Sequence, residues 1–258
     1  MGFSHTVHRL LHPPRCCSCN RFLELSPWKG EEAPLFCDSC RQRLEREQLT
    51  QCPQCFAALC DCTCQPAVMR QRGAVSHRKL GPYLMQGEGK GAIAGLVTQL
   101  KRHPRERVIR AAADALEPIL REELSALQAK TPISHTVITF LPRSRRNVCL
   151  YGFDQARALA AELARRTGYP MLPLLRRKRD GKQQKLLTVK ERRRNLRGAF
   201  SLIGDPKGLR VVLVDDLVTT GVGMAEGVAL LRRGKAAEVT CLSLAVTPKK
   251  KPSGHAAF

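Results

Sequence analysis

Residues 211–221 read VVLVDDLVTTG, with two acids, two threonines and a glycine at a spacing that suits a phosphate beside a diol. Backbone N–H groups of residues 218–223 and the hydroxyls of Thr219 and Thr220 can wrap a phosphate. Gly221 and Gly223 allow the dihedrals and close approach that such a nest needs. A helix expected just beyond adds the partial positive charge of its N-terminus. Asp215 and Asp216 side by side would otherwise be a liability, since like charges raise a carboxyl pKa. They make sense as acceptors for the hydroxyls of a diol and as an indirect hold on Mg2+. Asp215, Asp216, Leu217, Val218, Thr219, Thr220, Gly221 and Gly223 are therefore the candidate ribose-phosphate site. Taken alone the string could be an ordinary strand–turn–helix; its place after a buried strand favours a ligand loop.

The second constellation is thiol. Of the 12 cysteines, ten lie between Cys16 and Cys64. Cys16-x2-Cys19 and Cys37-x2-Cys40 have the spacing of a four-thiolate tetrahedral zinc site. A third knuckle, Cys52-Pro-Gln-Cys55, is followed by Cys60, Cys62 and Cys64, any two of which would complete a second site. An all-thiolate set argues for structural zinc, because a catalytic zinc keeps an open position. A segment this poor in large apolar residues needs the folding energy that metal supplies. Cys17 reads as a bystander.

These groups need elements to hold them. Residues 1–66 form a double zinc-ribbon-like module, 67–80 a linker, 81–248 an α/β domain and 249–258 a disordered tail. Apolar residues at helical spacing predict helices over 89–101 and 105–123, and an Ala/Leu-rich one over 153–167 closed by Gly168. Short β-branched runs predict strands at 136–141, 209–214 and 238–245, with a helix over 222–233 between the last two. Such alternation implies a mainly parallel sheet with helices on both faces. No internal repeat is evident, and the glycines from Gly87 onward lack the spacing of a dinucleotide fingerprint. No run is long enough to span a bilayer and the first residues do not read as a secretory signal, so the expected location is cytoplasmic.

Charge is uneven. Residues 1–70 carry eight Lys/Arg against seven Asp/Glu, so nearly all of the net +22 belongs to the rest of the chain. Eleven basic residues crowd into 176–197 against two acidic ones. Such a domain should attract polyanions, either nucleic acid or a phosphorylated small molecule.

The residues 211–221 string resembles the ribose-phosphate signature of type I phosphoribosyltransferases. Gln184, Leu187, Arg192, Asn195, Leu196, Ala199 and Phe200, just upstream, resemble the pattern of the ComF/GntX family of competence-associated proteins. So do the paired cysteine knuckles, Tyr83, Leu100-Lys101, the Arg-rich loop after Pro142, and Gly152-Phe153-Asp154-Gln155. The resemblance implies a type I phosphoribosyltransferase-like fold binding phosphoribosyl diphosphate with Mg2+. It places the ribose hydroxyls on the two aspartates and the diphosphate on Arg143, Ser144 and Arg145. It also implies a part in natural transformation beside other DNA-uptake proteins. Single-stranded DNA would lie along Arg176, Arg177, Lys178, Lys185, Arg192, Arg193, Arg194 and Arg197. The chain departs from the pattern at Leu150-Tyr151, Asp154 and Gly223. Two other readings stand beside this one: an active transferase of unknown acceptor, and a zinc-ribbon nucleic-acid-binding protein with a degenerate transferase fold.

Overall fold

The computed structural model describes residues 13–23, 33–85, 90–103, 105–178 and 198–248. In chain order its elements are α1 (Asp38–Gln48), α2 (Ala67–Arg70), β1 (Ser76–Pro82), α3 (Ala92–Arg102), α4 (Glu106–Lys130), β2 (Thr136–Phe140), α5 (Arg145–Tyr151), α6 (Gln155–Thr167), β3 (Leu175–Arg177), β4 (Phe200–Leu202), β5 (Arg210–Val218), α7 (Val222–Arg233) and β6 (Glu238–Val246). Four strands form one parallel sheet in the order β1-β6-β5-β2, while β3 and β4 make a separate antiparallel ribbon.

The continuous apolar run of β5 follows from its central place. Val212 and Val214 join the core under α3, α4 and α6; Val211 and Leu213 join the core under α2 and α7. Alternate residues thus enter opposite cores, and no polar face is left. The α/β sheet with helices on both faces is the expected class. Gly168 ends α6 in the left-handed region at φ 79°, as its position just past the last apolar residue foretold.

One expectation is overturned. Residues 67–80, read as a linker, hold α2 and most of β1, and all seven residues of β1 are buried. The strand escaped notice because SHRKLGP is polar and its partners lie far away in sequence. Arg78 reaches Glu122 at 2.8 Å and Glu123 at 3.2 Å on α4, and the Cys60 carbonyl at 3.1 Å. The Ser76 hydroxyl donates to Glu123, and the His77 ring meets Ser243 on β6 at 2.8 Å. Lys79 donates to the carbonyls of Cys64 at 2.7 Å and Cys62 at 3.1 Å. Buried charge is tolerable here because it is paired and hydrogen-bonded.

The cysteine-rich segment is bound to the sheet domain in the same manner. Gly91 offers α3 no side-chain cap, and Glu47 of α1 takes that role, accepting from Ala92 N at 2.8 Å and Ile93 N at 2.9 Å. Cys17 sits in the main core rather than in a thiol cluster, and burial pushes its thiol up to about 11. Glu47→Ala would leave two buried amides without acceptors. We expect a loss of roughly 1–3 kcal/mol in urea unfolding, against little change for Glu45→Ala on the exposed side of the same helix.

Candidate functional site

The aspartate–threonine loop sits where β5 gives way to α7. The strand continues through both acids to Val218. Asp216, on the side facing α3 and α6, is buried and held by two groups from those helices. Lys101 Nζ lies 3.2 Å from its Oδ2, and Gln155 Nε2 donates to the same oxygen at 3.1 Å. Asp215 is half-buried and accepts the Asp216 amide at 2.8 Å. Burial, and then the neighbouring Asp216 charge, raise its carboxyl well above the usual range, with Lys101 pulling the other way. Lys101 and Gln155 were visible only as members of short motifs, since nothing local in sequence ties either to position 216.

Beyond the acids, Thr219 and Thr220 are exposed, and Gly221 takes φ 78° before the first residue of α7. A Cβ on Gly221 would stand 3.0 Å from Pro66 and 3.1 Å from Met69, so the segment after Cys64 is packed against the loop. The N-terminus of α7 has no side-chain cap at Gly221. A Cβ on Gly223 would meet Leu141 at 3.3 Å. The missing hydroxyl at 223 thus coincides with the close approach of the arginine-bearing loop.

That loop is brought alongside by Leu141 N, which donates to Val214 O at 2.9 Å. Arg143 donates its amide to Asp154 at 2.8 Å, and its guanidinium stacks on Tyr151 at 4.7 Å. Asp154 also caps α6, accepting from Ala156 N and Arg157 N. The departures at 151 and 154 therefore brace the loop locally. Ser144 is buried and Arg145 exposed at the start of α5. A hollow of about 560 Å³ near His135 and Arg210 lies at the opposite end of the strands from these groups.

Arg176 and Arg177 lie on β3 and Lys178 follows it, with Lys178 N bonded to Ala199 O at 2.8 Å and Arg177 over the Phe200 ring. The ribbon thus brings together Lys178 and Ala199, which flank residues 179–197. Lys185, Arg192, Arg193, Arg194 and Arg197 lie outside the described residues, as does the tail 249–258.

The thiols gather into two clusters that could hold zinc. Cys16, Cys19, Cys37 and Cys40 form one; Cys52, Cys55, Cys62 and Cys64 form the other, the ligand atoms of each within 4.8 Å of one another. Both knuckles share a backbone turn: Cys16 N bonds Arg21 O and Cys52 N bonds Ala57 O, each at 2.8 Å. The local repeat escaped the sequence because it is carried by backbone rather than side chains. Cys60 is corrected as a candidate ligand. It belongs to neither cluster, and its thiol points to the Asp61 carboxylate at 3.4 Å.

The phosphoribosyl transferase domain model matches residues 153–256. The chain is 31% identical over 242 residues to DNA utilization protein YhgH of Salmonella typhi, covering 89% of this chain and 96% of that one. It is 37% identical over 98 residues to competence protein F of Haemophilus influenzae, covering 36% and 43% of the two chains. Competence protein ComFC of Bacillus subtilis is 31% identical over 119 residues, covering 44% and 45%.

Proposed function

The chain belongs to the ComF/GntX family, with a phosphoribosyltransferase-like domain, and from that premise we propose that it binds phosphoribosyl diphosphate with Mg2+ while handling single-stranded DNA during uptake. The observation that carries this reading is the convergence on β5. Asp216 is fixed by Lys101 and Gln155, Asp215 is left half-buried with a raised pKa, and the Thr219–Thr220 turn opens beside them. A half-buried carboxyl next to a buried one at a strand end calls for hydroxyl donors and a cation.

In this reading Asp215 and Asp216 take the ribose hydroxyls and, indirectly, Mg2+, which neutralises diphosphate charge. Thr219, Thr220 and the amides of residues 218–223 take the 5-phosphate, and Arg143, Ser144 and Arg145 face the diphosphate. The stacking of Arg143 on Tyr151 and the missing hydroxyl at Gly223 favour binding over turnover. The cysteine clusters carry structural zinc. Among the described residues no helix is long and apolar enough to cross a membrane, in keeping with work on the cytoplasmic side beside other uptake proteins. DNA lies along the basic segment, where affinity is electrostatic and falls with salt.

Titration calorimetry with phosphoribosyl diphosphate and Mg2+ tests the first half. Binding heat is expected from the wild type and none from Asp215→Ala/Asp216→Ala. A silent wild type would remove the proposal. Retardation of a single-stranded oligonucleotide, weakened by salt and by neutralising Arg192, Arg193 and Arg194, tests the second half.

A further inference from the structure

The two cysteine knuckles close the same backbone turn with a single antiparallel bridge, Arg15 to Phe22 in the first and Gln51 to Ala58 in the second. The second knuckle shows that this turn needs neither an arginine nor an aromatic ring at those places. In the first, the Arg15 guanidinium lies 3.7 Å from the centre of the Phe22 ring, and Phe22 is 58% exposed. An exposed ring backed by a guanidinium is a platform on which a further flat, π-bearing group can stack.

Phe22 and Arg15 line a groove of about 390 Å³ between the first knuckle and the start of α4, and Arg105 and Arg107 line it with them. None of the groove's lining residues is acidic. The three guanidinia are oriented by neutral acceptors: Arg15 by the Asn20 carbonyl at 3.3 Å, Arg105 by the Asn20 side chain at 3.1 Å, and Arg107 by the carbonyls of Ala33 at 3.0 Å and Pro34 at 2.8 Å. Among the described residues no carboxylate pairs with any of the three, whereas Arg121, Arg165 and Arg166, farther along α4 and on α6, each meet a glutamate. Oriented guanidinia whose charge is not neutralised attract anions and suit phosphate oxygens.

Ring and charge together narrow the occupant. An acidic peptide segment would use the charge and leave the ring idle, and a duplex keeps its base faces stacked inside. A single strand brings a free base face and flanking phosphates at once. We propose that this groove is a contact site for single-stranded DNA, with one base stacked on Phe22 and the neighbouring phosphates on Arg15 and Arg105. It belongs to the cysteine-rich segment and is separate in sequence from the basic residues 176–197. The choice of DNA rests on the proposed function; the stacking-and-phosphate site rests on the groove.

Zinc-loaded full-length protein would be titrated into a labelled oligothymidylate across a range of salt, with fluorescence anisotropy as the readout and zinc content measured on every variant. Phe22→Ala is expected to weaken binding by between about five- and a hundredfold with the salt slope unchanged, and Phe22→Trp to restore it. An abasic oligomer of the same length should bind the wild type more weakly and ignore Phe22→Ala. Arg15→Gln/Arg105→Gln should flatten the plot of log K against log salt by about 0.7 for each phosphate contact removed. Wild-type affinity in Phe22→Ala and in the double arginine variant, with binding still lost on neutralising Arg192, Arg193 and Arg194, would overturn the groove and keep the DNA reading. Wild-type affinity together with zinc lost from the double arginine variant would overturn it too, leaving the arginines as balance for the four thiolates. Polyglutamate of equal charge competing as well as the oligomer would overturn it in favour of an acidic protein segment. A wild type that binds no oligomer would remove both the groove and the DNA reading.

Discussion

Cys62→Ser is expected to bind one zinc ion where the wild type is expected to bind two, whereas Cys60→Ser is expected to keep both. Cys62 is buried in the second cluster, 3.5 Å from the Cys55 sulfur, and its own sulfur accepts from Cys64 N at 3.3 Å and Lys79 Nζ at 3.2 Å. These donors suit a thiolate, and the ammonium offsets part of the negative charge that four thiolates leave on a divalent zinc. Structural zinc contributes about 10–16 kcal/mol in small peptides at neutral pH. Losing a site to which Lys79 of β1 is hydrogen-bonded should therefore lower the thermal midpoint by on the order of 10 °C or more. Atomic absorption on purified protein decides the matter. Two zinc ions in Cys62→Ser, or one in Cys60→Ser, would contradict the ligand set.

The second large effect is a trade between stability and binding at Asp215. Asp215→Asn keeps an oxygen for the Asp216 amide and removes a charge that the folded protein disfavours. A carboxyl raised on folding contributes stability that is present below its ordinary value, near 4, and is lost as pH rises through the folded value. The ligand-free Asn variant should thus match the wild type in acid and become the more stable of the two toward neutrality. With solvent reaching a half-buried group, the gap is on the order of 1 kcal/mol, or about 2–4 °C in a chain of this size. The same variant should lose Mg2+-dependent binding of phosphoribosyl diphosphate. Thermal midpoints of both proteins across pH, with and without ligand, give the readout; a variant no more stable at pH 7 than in acid, relative to wild type, would sink the argument.

Where side chains declare their environment locally, the sequence was readable. The β5 run, the helix over Val222–Arg233 and the left-handed Gly168 stand as expected because each is fixed by periodicity or by a near neighbour. The loop of acids and threonines was legible for the same reason. β1 was not, since its polar residues are satisfied by Glu122, Glu123 and Ser243, more than 40 positions away. The choice among Cys60, Cys62 and Cys64 needed the turn that aims one thiol at Asp61. The tethering of Asp216 by Lys101 and Gln155 needed two helices to meet over one strand end.

The register of β1 has a consequence for the order in which the chain can mature. Ser76 pairs with Thr240 and Pro82 with Val246, so a strand made early can enter the sheet only after the last strand has been synthesised. The cysteine knuckles are therefore complete, and able to take metal, well before their seat exists. The burial of β1 in the sheet, with Arg78 and Lys79 beside the carbonyls of Cys60, Cys62 and Cys64, is completed only when β6 pairs with it. The long-range closure of β1 onto β6 is therefore expected to be slow, and to come after the cysteine knuckles are complete.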